Sequence, residues 1–148
     1  MLRLRQICSV LAFAVLAVLP LAAPASPSGA GAVPWSAEIV YVQVGREPPA
    51  YIWVGEGKAT LMGPVTAEAR DLTTGPRHRG TTTIQDASGN AVFASYQVDQ
   101  VGPGEWAGTF TVIGGSGRFD GASGGGALTI SLVEPGVVLN NFEGTLNF

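Results

Sequence analysis

The chain is poor in most of the residues on which protein chemistry depends. Its 148 residues include one cysteine, Cys8, one histidine, His78, and one lysine, Lys58. Because Cys8 lies so near the start, thiol chemistry and disulfide bracing are excluded from everything that follows it. A single histidine among scattered carboxylates gives no ligand set for a metal, so neither a metal nor any other cofactor is expected. Charged residues make up 13% of the sequence and the formal net charge is −3. That balance argues against nucleic acid and against an anionic membrane surface as partners. Beyond Pro34, no segment repeats its apolar residues at the helical period.

Long apolar runs are also scarce, and the one present lies near the start. Arg3 and Arg5 precede "ICSVLAFAVLAVLPLAA", which Pro20 interrupts and Ala23-Pro24-Ala25 closes. A basic start, an apolar stretch and small residues at its end form the pattern of a cleaved signal peptide. The run falls at the short end of the ~20 residues that span a bilayer, which disfavours an uncleaved anchor. The expected organisation is a signal peptide over 1–25, a flexible leader over 26–34 and a single domain over 35–148. Such a chain would be secreted or periplasmic, with no membrane contact after cleavage.

What the chain does have is glycine, 21 in all, together with valine, threonine and alanine. Turn signals recur at short spacing: "GREPP", "MGP", "TTGP", "DASGN", "VGPGE" and "VEPG". Between them lie eight β-type runs at 36–44, 50–62, 64–73, 78–85, 91–100, 105–113, 126–133 and 137–147, the second with a bulge expected at Gly55 or Gly57. An open sheet of eight strands leaves two bare edges, and closure removes them. The expected fold is therefore all-β, a closed eight-stranded antiparallel β-barrel, with a β-sandwich as the alternative.

Alternation assigns the inner faces. Trp106, Phe110 and Val112 share one face, as do Val92, Ala94, Tyr96 and Val98. Leu128, Ile130 and Leu132 form a third set, and Val138, Asn140, Phe142 and Leu146 a fourth. On the first strand Glu38 falls in step with Val40, Val42 and Val44, and a one-residue change of register would invert that assignment.

"GGSGRFDGASGGG", residues 114–126, is the densest glycine segment. It lacks the glycine-lysine-Ser/Thr ending of a phosphate loop and the spacing of a dinucleotide fingerprint. "GASGG" matches a nucleophile elbow around Ser123, but that elbow needs an α/β sheet and a histidine partner. The sole histidine lies in "PRHRG", read as a solvated turn where an anion could dock. The glycine segment is then architecture: a tight turn after strand 105–113, a short piece anchored by Phe119, and a bend into strand 126–133.

"TFTVIGGSGRFDGASGGGALTISL", with the closing "NNFEGTLNF", resembles the C-terminal half of the allene oxide cyclase barrel-like proteins, a group that includes the dirigent proteins. "EIVYVQVGREPPAY" is similar to the first-strand segment of the allene oxide cyclases. The resemblance implies an eight-stranded barrel whose lumen holds small apolar molecules. It sets Glu38 where those enzymes carry a catalytic glutamate and Pro49 where they carry a lumen proline, while Val40 replaces their asparagine.

Candidate site residues follow. Glu38 is an acid or base if it points into the lumen, and a rim residue in water otherwise. Asn140 either donates to a developing oxyanion or is a buried amide satisfied by its neighbours. Tyr96 offers a hydroxyl, and Trp53, Trp106, Phe110 and Phe142 either line a cavity or fill a dry core. Glu68 and Arg70 are read as an exposed pair of small energetic value. The functional expectation is a barrel binding a small hydrophobic molecule. A cofactor-independent cyclase or isomerase is the alternative, and a structural protein with a filled barrel is the third option. A homo-oligomer is left open.

Overall fold

A computed structural model describes residues 31–148. The expected signal peptide and the first part of the leader lie outside the described residues. Eight strands follow in order: β1 (Val33–Glu47), β2 (Ala50–Ala59), β3 (Gly63–Thr74), β4 (Arg77–Asp86), β5 (Ala91–Gly102), β6 (Glu105–Ser116), β7 (Ser123–Glu134) and β8 (Val137–Asn147). β1 begins inside the stretch read as leader. Each strand pairs antiparallel with the next, and β8 returns to β1 with Val33 opposite Leu146 and Val42 opposite Val137. The sheet is thus a closed barrel, and the sandwich alternative is excluded. The turns at 48–49, 75–76, 103–104 and 135–136 gather at one end. The longer connections at 60–62, 87–90 and 117–122 gather at the other, beside both strand ends Val33 and Asn147.

Four residues fall out of the ladder as bulges: Val44, Val101, Ile113 and Val133. All are β-branched and strongly exposed, at 58%, 65%, 59% and 62%. Each lets its strand bend without rotating an apolar residue into water elsewhere. The bulge expected at Gly55 or Gly57 therefore falls on β1. Those two glycines pair in regular register and leave room for Ile39 and Tyr41 inside the wall.

The inner face of β1 carries Trp35, Ala37, Ile39 and Tyr41, all buried, while Val40 and Val42 point outward. One tryptophan and one tyrosine outweigh three valines in apolar area, and this decides the register. Trp35, Phe110 and Phe142 then meet as a cluster with ring centroids 5.3 to 6.2 Å apart. Phe110 and Phe142 thus fill the dry middle of the barrel rather than line a ligand cavity.

The glycine segment closes the far end. β6 continues through Gly115 and β7 starts at Ser123, so the strands reach further into it than expected. Between them, a 3₁₀ turn at Gly117–Phe119 drives Phe119 into the barrel with no exposure at all. Gly117 has φ +65°, and a Cβ there would lie 2.2 Å from Asn90 Oδ1. Only glycine fits both demands. Arg118 stacks on Phe119 and donates to the Leu61 carbonyl, while its backbone N–H donates to Asn90 Oδ1. Asp86 accepts from the N–H groups of Ser88 and Asn90 and from Asn90 Nδ2. One latch thereby ties together the three connections of this end.

The latch has an acid limit. The Asn90 side chain, the backbone N–H groups and the Arg118 charge hold the Asp86 carboxyl below the usual carboxylate range, against the opposing effect of burial. The folded value lies under the unfolded one, so the stabilisation is full above the unfolded value, about 4, and fades as pH falls through the folded value. Urea midpoints measured from pH 6 to pH 2 are expected to fall below about pH 4. In Asp86→Asn the fall should be shallower, because one of the groups that binds a proton on unfolding is gone.

Candidate functional site

The turn-rich end is built differently. β3 continues the inner set Val65, Ala67 and Ala69 to Asp71, and β4 places Gly80 opposite it. Gly80 pairs in turn with Tyr96 of β5. A Cβ at position 80 would lie 2.0 Å from the Arg70 carbonyl and 2.8 Å from the Tyr96 hydroxyl. Because none is there, Tyr96 reaches across β4 and donates to Asp71 Oδ1 at 3.2 Å. The other carboxylate oxygen accepts Thr73 Oγ1 at 3.3 Å and His78 Nδ1 at 2.6 Å. In the neutral ring, Nδ1–H donates to the carboxylate and the lone pair rests on Nε2.

Asp71 is buried, its side chain 6% exposed, whereas the imidazole is 23% exposed. The Trp106 ring meets His78 edge-on at 5.3 Å. Burial, and then the Asp71 charge, push the Tyr96 phenol far above its ordinary range, so Tyr96 is a fixed donor and not a base. Burial raises the Tyr41 phenol as well. Tyr41 donates to Thr82 Oγ1 at 2.8 Å, because the Thr82 hydroxyl spends its own hydrogen on the Glu68 carbonyl.

These groups line a pocket of about 110 Å³ that opens at the barrel mouth. Trp53 and Trp106 form apolar walls with Ala69, Ile130 and Val138, and Asn140 completes the lining. Asn140 Oδ1 is buried without a hydrogen-bond partner. His78 Nε2 also has none among the described residues. His78 Nε2 is therefore the unused acceptor of this small aromatic-walled pocket, since Asn140 Oδ1 has no accessible surface. The arrangement suits a flat molecule that brings a hydrogen-bond donor on its buried end, and His78 is built to accept a proton and pass it back.

Of the residues expected at a site, the structure brings Trp53, Tyr96, Trp106 and Asn140 together. Phe110 and Phe142 belong to the packed middle, and Pro49 sits exposed in the β1–β2 turn. Glu38 lies on the outer wall opposite Lys58, turned out by the register that Trp35 and Tyr41 impose. It does not meet the condition set for a lumen acid. Arg70 pairs with Glu47 at 2.8 Å and not with Glu68. His78 corrects the reading of "PRHRG" as a solvated turn, since β4 already begins at Arg77 and its alternation turns the ring inward. Asp71 and His78 were missed, although both share parity with residues of clear inner face, Ala69 and Ile84.

Among the described residues no group of three or more histidine, cysteine or acidic side chains could hold a metal ion. No family model and no curated protein matches the chain. Among solved structures, a pyocyanin demethylase is similar at 13% sequence identity and a TM-score of 0.42, over 76% of this chain and 99% of that one.

Proposed function

We propose that this protein is an exported barrel that binds a small, flat, largely apolar molecule at its open end, with a hydroxyl or N–H of the ligand entering first. The observation that carries the reading is the unused acceptor His78 Nε2 in a pocket walled by Trp53 and Trp106. A dry cavity of about 150 Å³ takes a benzene ring, so about 110 Å³ open at one side takes a single ring with its substituents toward solvent. The packed middle disfavours a ligand threaded through the whole lumen. Export rests on the N-terminal sequence, and the resemblance of the last strands to allene oxide cyclase barrel-like proteins supports small-molecule binding.

Ala69→Phe tests this reading, because the added ring occupies the pocket. Ligands that co-purify from the native host, identified by mass spectrometry, should quench Trp53 and Trp106 fluorescence in the wild type. The variant should bind at least about tenfold more weakly. Equal affinity in a folded variant would sink the pocket.

The Asp71–His78 pair favours a second reading, a cofactor-independent isomerase. His78 Nε2 would take a proton from an acidic C–H of the substrate and return it at another carbon. Asp71 would hold the imidazolium in between. His78→Gln should then abolish turnover; turnover that survives in the folded variant removes the catalytic reading.

A further inference from the structure

The charges around the open end are sorted by face. Glu47 bonds Arg70 and Asp99 bonds Arg77 on the outer wall. Glu105 and Glu134 stand out of step with the inward Trp106 and Leu132. On the inner face at this end the sole acid is Asp71, and its oxygens are taken by Tyr96, Thr73 and His78. The inner face carries one exposed cation here, Arg46. The bulge at Val44 shifts the register so that Arg46 pairs with Tyr51, in step with the inward Trp53. Tyr51 in turn pairs with Asp71. The Arg46 guanidinium lies 5.0 Å from the centre of the Tyr51 ring and makes no ion pair among the described residues.

From this sorting we infer that the ligand is an organic anion, an aryl-substituted alkanoate whose ring enters the pocket and whose carboxylate reaches Arg46 at the mouth. The inference rests on the binding reading above and names its ligand class. Arg46 stands two strands from Asp71, about 10 Å at the usual strand spacing. A ring joined to its carboxylate by a short carbon chain spans such a distance. Guanidinium and carboxylate form a charge-assisted, bidentate pair, and Tyr51 holds the guanidinium from below. In a chain of net charge −3, an inner mouth whose one acid, Asp71, is already hydrogen-bonded and whose arginine is unpaired selects against cations and for an anion.

Three isosteric probes test the inference by tryptophan fluorescence: 3-(4-hydroxyphenyl)propanoate, the matching propan-1-ol and the matching propylamine. The acid should bind about five- to tenfold tighter than the alcohol at low salt, and the amine weakest. Raising the salt to 1 M should shrink the advantage of the acid, because the mouth is open to solvent. Arg46→Met, at an exposed position, should abolish it while leaving the alcohol unchanged. An alcohol that binds as well as the acid in the wild type, or an acid unaffected by Arg46→Met, overturns the anion inference and leaves the pocket standing. If none of the three binds, and none distinguishes wild type from Ala69→Phe, the pocket reading falls too.

Discussion

Asp71→Ala is expected to remove ligand binding and to lower the unfolding free energy by about 3 kcal/mol. The substitution strips the acceptor from a buried tyrosine hydroxyl, from Thr73 and from the imidazole N–H. Tyr96 is the costly loss, because its hydroxyl is held inside the barrel across Gly80 and Asp71 is its hydrogen-bond partner there. His78 is partly exposed and recovers water, but its ring loses the bond that fixes its tautomer. Asp71→Asn separates these effects. The amide oxygen still accepts from Tyr96, so most of the stability should return. The amide N–H, however, faces Nδ1 and forces the hydrogen of the ring to Nε2, turning the pocket acceptor into a donor. Urea unfolding combined with ligand titration checks both variants. Asn behaving like wild type in binding would mean that the His78 lone pair plays no part.

Phe142→Ala should have the opposite profile. Phe142 packs edge-on against Phe110 and Trp35 with 1% exposure, and the cavity left by its ring is expected to cost about 3–5 kcal/mol. For a domain of this size the melting temperature falls by about 10–20 °C. Affinity for ligand should stay within about twofold at a temperature where the variant is folded. A loss of binding there would show that the aromatic cluster belongs to the site after all. Together the two substitutions test whether the barrel divides into a structural half and a functional half.

The sequence made the barrel legible because a closed sheet needs only strand count, turns and alternation. Four of the eight strands, β5, β6, β7 and β8, show their inner face plainly through bulky apolar residues. β1 misled because Val40, Val42 and Val44 form the more regular apolar series, while the buried set mixes Trp35, Ala37, Ile39 and Tyr41. Volume, not periodicity, decided between them. β4 misled because its inner residues are His78, Gly80 and Thr82, and only Ile84 looks like core. The site was hidden for the same reason. A polar residue in step with core positions is a weak signal by itself, and the Asp71–His78 contact exists only once β3 and β4 are paired. Trp53 and Trp106 were legible as large aromatics within strand runs, and Tyr96 and Asn140 because each has an apolar neighbour two residues away.

The seam between β1 and β8 has a consequence for how the chain is made. All other neighbours in the wall are consecutive in sequence and zip up as hairpins while the polypeptide emerges. The first strand, by contrast, has no partner on one flank until the last one arrives. Until then the growing sheet has an exposed margin at each side, the situation in which chains stick to one another. Losing Val137–Asn147 to a premature stop would therefore not yield a slightly smaller protein. It would yield an unsealed sheet, so the integrity of the whole wall depends on β8.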